Sequence, residues 1–229
     1  MQIIDIPSTT TAPGHAHEAD LEACLDLINS EELSDGVPQE HLPTVDDAVA
    51  YFTTRGLAHE AAIRAQVESA PGGGAAWLAR LHDTRGALRE VWDAQVERRT
   101  PDLAALEAVN ELLRQAPRVE LVPGDGGIGV GHRHTQDDPT GEALARVVEP
   151  LVEAIATTST DRFRICANDG CRWVFEDTSR AGRRRWCDMS SCGNRAKVRR
   201  YRSKQHAPAG GPVTAGGTGD AAAAEETGA

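Results

Sequence analysis

Aromatic side chains are scarce, making up only 4% of the 229 residues, with three Phe and two Tyr. The apolar residues are mostly Ala, Leu and Val, so packed helices fit this chain better than a large sheet, whose pleated faces draw on aromatic and β-branched residues. Nothing approaches a run of 18 apolar residues, which leaves no candidate for a membrane-spanning helix. The opening Met1-Gln2-Ile3-Ile4-Asp5-Ile6-Pro7 lacks the charged and apolar regions of a signal peptide, and a cytoplasmic protein is expected. Catalytic patterns are missing too. Gly124-Asp125-Gly126-Gly127 is followed by no Lys-Ser/Thr and opens no helix, so it reads as a turn and not a phosphate loop. No nucleophile–base pair stands out, and an enzyme is not expected.

Cysteine is also rare, at five residues, but four of them are paired. Cys166, Cys171, Cys187 and Cys192 are spaced C-x4-C-x15-C-x4-C, and in a reducing compartment two such pairs suit one tetrahedral Zn2+. A redox disulfide pair and an iron–sulfur cluster are the alternatives. Four thiolates close the coordination sphere and leave no place for a water nucleophile, so the zinc would be structural. Cys24, among Leu21, Leu25, Leu27 and Ile28, reads as a small buried hydrophobe.

Positive charge is scarce except in one place. The formal net charge is −11, yet residues 161–204 hold 13 Lys and Arg against 5 Asp and Glu, which leaves 11 against 30 elsewhere. A small cationic module on an acidic body is drawn to polyanions where the rest of the chain is repelled.

The patterning predicts an α+β protein: a mainly helical N-terminal domain with a small β-hairpin, followed by a C-terminal treble-clef-like zinc finger. Residues 1–20 read as a flexible arm. Leu21 to Ile28 is apolar and ambiguous between strand and helix. Thr44 with Asp46 and Asp47 caps a helix that Gly56 closes, and a second stretch covers about 57–68 before Pro71-Gly72-Gly73-Gly74. Trp77, Leu81, Leu88, Val91 and Trp92 mark the strongest helix, from about 75 to 98, and Thr100-Pro101-Asp102 starts another. Segments 118–122 and 128–134 flank the glycines as a hairpin. A final amphipathic helix begins at Thr140 and kinks at Pro150. The body would span 21–157, the finger 161–204 and a disordered tail 205–229.

Within the finger, Gly170 can take positive φ and turn the chain between the first two cysteines. Arg172-Trp173-Val174-Phe175 alternates as a strand whose Trp173 and Phe175 roof the metal, and 183–186 would return as its partner. A helix would run from Cys192 to Lys204. Some of the basic excess, at Arg172, Arg185 and Arg195, offsets the local −2 charge of four thiolates on Zn2+. Arg183, Arg184, Asn194, Arg195, Lys197, Arg199, Arg200, Arg202 and Lys204 are the candidate nucleic-acid contacts, with Arg195, Arg199 and Arg202 on one helical face. The competing reading is a solvated charged helix, or one that meets an acidic protein surface, including this chain's own body.

The run Cys166-x4-Cys171-x-Trp173-x-Phe175-x-Asp177-x-Ser179-Arg180 with Arg184-x-Trp186-Cys187-x-Met189-x2-Cys192-Gly193-Asn194-Arg195-x-Lys197 resembles the CGNR zinc finger. Cys24-Leu25-Asp26-Leu27-Ile28-Asn29-Ser30 resembles the Leu-Asp-Phe-Val-Asn-Thr signature that opens the ABATE domain, with Leu27 and Ser30 in place of Phe and Thr. The resemblance implies a bacterial stress-induced transcription regulator with a DNA-binding finger and a body that senses a small ligand. Asp26 and Asn29 are candidate ligand contacts, or else a helix cap or a buried hydrogen-bonded pair. A homodimer suits a DNA reader. An RNA-binding or ribosome-associated module and a protein-interaction adaptor are the rival readings.

Overall fold

A computed structural model describes residues 16–116, 118–124, 127–133 and 138–205. The predicted tail beyond Gln205 and most of the predicted arm lie outside the described residues.

The ambiguous apolar run is a helix, α1 (Ala16–Asn29), which begins inside the stretch expected to be an arm. Leu21, Cys24, Leu27 and Ile28 recur at helical spacing, and all four are buried. A hairpin absent from the sequence reading follows, β1 (Glu31–Ser34) against β2 (Val37–Glu40). Its two-residue turn is Asp35-Gly36, with φ of 52° and 84°, the left-handed pair that an Asp-Gly hairpin turn requires. Thr44 then opens α2 (Val45–Thr54) with the reciprocal Thr44–Asp47 capping box.

Helix α3 is Glu60–Ser69 and α4 is Gly73–Glu97. The 25-residue α4 is the spine of the body, burying Trp77, Leu81, Leu88, Val91 and Trp92 along one stripe. Next come α5 (Leu103–Leu113), the expected hairpin β3 (Arg118–Gly124) with β4 (Gly127–Arg133), and α6 (Pro139–Thr157). Asp138 caps α6 by accepting from the amides of Thr140 and Gly141, and Pro139 occupies the first turn, where no backbone donor is needed. Helix α6 continues through Pro150 and packs against α1, α3 and α5.

The finger begins with β5 (Phe163–Ile165), antiparallel to β6 (Val174–Glu176). The hairpin thus encloses the first cysteine pair, and residues 183–186, expected to be the partner strand, form no strand. Asp177 explains the difference. It is fully buried, and its carboxylate accepts from the amide and hydroxyl of Ser179 and, at 2.7 Å, from the Arg184 amide, so the chain folds around a carboxylate instead of pairing. A π-helical turn (Met189–Gly193) then leads into α7 (Asn194–Gln205).

Nor does the finger keep its core to itself. Phe163 and Val174 belong to the same buried cluster as α1, α4 and α6, and the Phe163 ring lies 4.7 Å from that of Trp92. The Trp92 indole N–H donates to the Arg164 carbonyl at 3.0 Å. Burying a Phe or Val side chain contributes about 1.5–3 kcal/mol, so this docking matters to both parts.

Candidate metal centre and nucleic-acid interface

The four predicted ligands converge. The Sγ atoms of Cys166, Cys171, Cys187 and Cys192 all lie within 4.8 Å of one another. Cys171 and Cys187 are 3.7 Å apart, and Cys187 and Cys192 are 3.9 Å apart. A tetrahedron with bonds of ~2.3 Å has edges of ~3.8 Å, so the four cysteines are positioned to bind one zinc ion. Cys166 and Cys171 come from the knuckle between β5 and β6, and Cys192 comes from the π-helical turn that leads into α7. The rings of Phe175 and Trp173 pack around the thiols as expected, and that of Trp186 joins them.

Burial pushes the Cys171 thiol up to about 11 and raises Cys187 further, with the Cys166 charge adding to both. Burial also acts against ionisation of Cys192, but hydrogen bonds from Asn168 and the other cysteines outweigh it and leave its pKa lowered. Metal entry must therefore displace protons from the cluster, which ties zinc affinity to pH. Cys24 stands apart: complete burial pushes it up to about 12, as suits an inert packing thiol.

Two residues the sequence reading missed connect the metal to its surroundings. Buried Asn168 donates to Cys192 Sγ at 3.5 Å and accepts from the Arg199 guanidinium at 3.0 Å. Arg199 is thereby a support of the metal site as well as part of the basic face. Glu32 on β1 accepts from the Trp173 indole at 2.5 Å. Glycine also serves differently from expectation. Gly170 has no positive φ, and the left-handed residue of the knuckle is Arg172, at φ 57°. A Cβ on Gly170 would stand 3.2 Å from the Gly36 amide nitrogen, so glycine is needed for close approach of the β1–β2 turn, whose Gly36 amide donates to the Gly170 carbonyl at 3.2 Å.

The candidate basic residues do not form one surface. Arg184 lies over the Phe175 ring at 4.7 Å and donates through Nε to the Trp186 carbonyl, while Arg183 is exposed. The Asn194 side chain donates to the Ser190 carbonyl at 2.9 Å. Arg195 donates to the Asp35 carboxylate at 2.5 Å. Lys197, Arg200 and Arg202 are exposed on α7, whereas the Lys204 side chain lies outside the described residues. Arg195, Arg199 and Arg202 share an open groove of about 630 Å³ with Ser190, Ser191, Asn194 and Val198, and no carboxylate is among its described lining residues.

Asp26 and Asn29 part company. Asp26 pairs with Arg55 at 2.7 Å on the surface. Buried Asn29 faces the finger: its Nδ2 donates to the Val174 carbonyl at 3.0 Å, and its Oδ1 accepts from the Val174 amide at 2.9 Å. The primary amide thus stands in for a neighbouring strand at the edge of β6. Beside this joint a crevice of about 320 Å³ is lined by Ile28, Glu31, Arg85 and Arg89 of the body and by Cys171 and Arg172 of the finger. Arg85 is buried there, paired with Glu40 at 2.6 Å and Glu31 at 3.2 Å.

No helix among the described residues is long and apolar enough to cross a membrane. Comparison with known families matches residues 162–205 to the CGNR zinc finger. Residues 21–158 match the ABATE domain, described as "Putative stress-induced transcription regulator". A search of curated proteins returns no match.

Proposed function

This chain belongs to the ABATE family and carries a CGNR zinc finger, and on that premise we propose that it is a cytoplasmic, non-enzymatic transcription regulator that holds duplex DNA against α7. The observation that carries the reading is the groove along Arg195, Arg199 and Arg202, which has no carboxylate among its described lining residues on a chain whose formal net charge is −11. Such a surface offers donors to phosphate, and the zinc fixes the start of the helix that presents them. The body takes the sensing role. A small effector in the crevice beside Asn29 would touch α4 and the knuckle at once, and so alter how the finger is held.

The test is a fluorescence-anisotropy titration of the full chain with a mixed-sequence duplex at several salt concentrations. Binding should weaken steeply as salt rises, because each phosphate contact releases counterions. Replacing Lys197 and Arg202 by Ala should weaken binding and flatten the salt slope with zinc content unchanged. Absence of salt-sensitive duplex binding would refute the proposal, and a strong preference for RNA in the same assay would redirect it.

A further inference from the structure

The turn of the β1–β2 hairpin places a carboxylate against Arg195, one of the three cations that line the basic groove. Asp35, at the tip, meets Arg195 at 2.5 Å, and the adjoining Gly36 amide is held by the Gly170 carbonyl of the metal knuckle. The contact is positioned from both ends. At the base of the hairpin, buried Arg85 holds Glu31 and Glu40 together, and Glu32 holds Trp173. At the tip, Gly170 leaves only enough room for backbone against backbone. Asp35 therefore arrives at Arg195 as part of a built element, from 160 residues away in sequence.

Arg195 stands at the start of α7, in the groove it shares with Ser191, Asn194 and Arg202. An aspartate carboxylate and a phosphodiester present the same feature to a guanidinium: an oxygen carrying negative charge. Both cannot take the same N–H. We infer that the hairpin tip is an internal phosphate mimic, and that duplex DNA displaces Asp35 from Arg195 when its backbone enters this groove. The inference rests on the DNA reading above and adds to it a contact that restrains binding. The pair is solvent-exposed, with side-chain accessibilities of 48% for Arg195 and 80% for Asp35, so the restraint is modest and the contact can exchange.

Such a device would let the body govern the finger without moving it as a whole. Anything that stiffens the β1–β2 hairpin holds the carboxylate in place, and anything that loosens it frees Arg195. Glu31 lies on the crevice as well as on the hairpin, so an effector there would act on the restraint directly.

The test is a double-mutant cycle in the full zinc-loaded chain, read by duplex affinity at low salt. Asp35→Asn keeps the turn, because Asn adopts left-handed φ readily and Asn-Gly favours the same hairpin. It should tighten duplex binding about 2- to 5-fold, the range set by an exposed pair. Arg195→Ala should weaken binding, and adding Asp35→Asn to it should change nothing further. Asp169→Asn removes a neighbouring exposed carboxylate that meets no groove residue, and reports the effect of net charge alone. Equal tightening by Asp35→Asn with and without Arg195, or by Asp169→Asn, would overturn the inference and leave DNA binding standing. No duplex binding in any variant would instead remove the DNA reading and the inference with it. Tightening confined to single-stranded RNA would overturn the duplex as occupant.

Discussion

Replacing Asn29 by Ala should loosen the finger from the body without touching a single zinc ligand. The side chain makes two hydrogen bonds to one backbone residue, at 2.9 and 3.0 Å, between groups that are buried on both sides: Asn29 is 6% exposed and Val174 1%. Each neutral hydrogen bond contributes only about 1 kcal/mol net, but a buried backbone group left without a partner costs about 1–3 kcal/mol. Two such groups put the loss at about 2–5 kcal/mol, with the small cavity adding to it. Urea unfolding of the full chain reads the stability, and amide hydrogen exchange over 163–176 reads the joint, where Val174 should lose its protection. Asn29→Asp sharpens the test. Its carboxylate still accepts from the Val174 amide but faces the Val174 carbonyl with a second oxygen. Burial and the facing carbonyl oxygen both raise the carboxyl's proton affinity, and the single amide hydrogen bond opposes them only in part. A group whose folded pKa is raised contributes most when protonated, so the deficit of Asn29→Asp against wild type should shrink as pH falls towards 4 and grow above it. A loss below about 1 kcal/mol in Asn29→Ala, with Val174 exchange unchanged, would refute the bracket.

Two further outcomes follow from the same joints. Chelating the zinc should lower the unfolding midpoint of the body as well as that of the finger, because Phe163 and Val174 sit in the body's core; a body transition that stays put in calorimetry would argue against shared packing. Burial raises the proton affinity of Glu40, but Arg85 and the Leu42 amide override it and hold the carboxyl below its usual range. A depressed folded pKa gives stability that is complete above the unfolded value of about 4.3 and lost as pH falls through the folded one. Glu40→Gln should therefore destabilise the protein at pH 7 and cost progressively less below pH 4, as followed by thermal melts across pH.

The sequence disclosed what is periodic or chemically unusual. Trp77 to Trp92 repeats at helical spacing and became α4; Thr44 with Asp47 became a capping box; four cysteines at matched spacing became one cluster. Each signal is local, so it survives without knowledge of the fold. Asn29 shows the other case. A polar amide in an apolar segment can be a cap, a ligand contact or a buried pair, and only its distance to Val174, 145 residues away, decides between them. Asp177 was visible as part of a motif, but its effect was hidden, since satisfying Ser179 and Arg184 is what denies 183–186 a place in the sheet. The β1–β2 hairpin did have a local cue in Asp35-Gly36, masked by four-residue strands that expose most of their side chains and carry little apolar alternation.

The shared burial of Phe163 and Val174 bears on how such a chain can be inherited. A finger transplanted onto a foreign partner would carry two apolar side chains with nowhere to go, and the host left behind would keep a hollow beside Trp92. Recombination that cuts near residue 160 is thus penalised on both products at once. What reads in sequence as two modules joined by a short linker is, for selection, a single heritable unit whose halves must vary together.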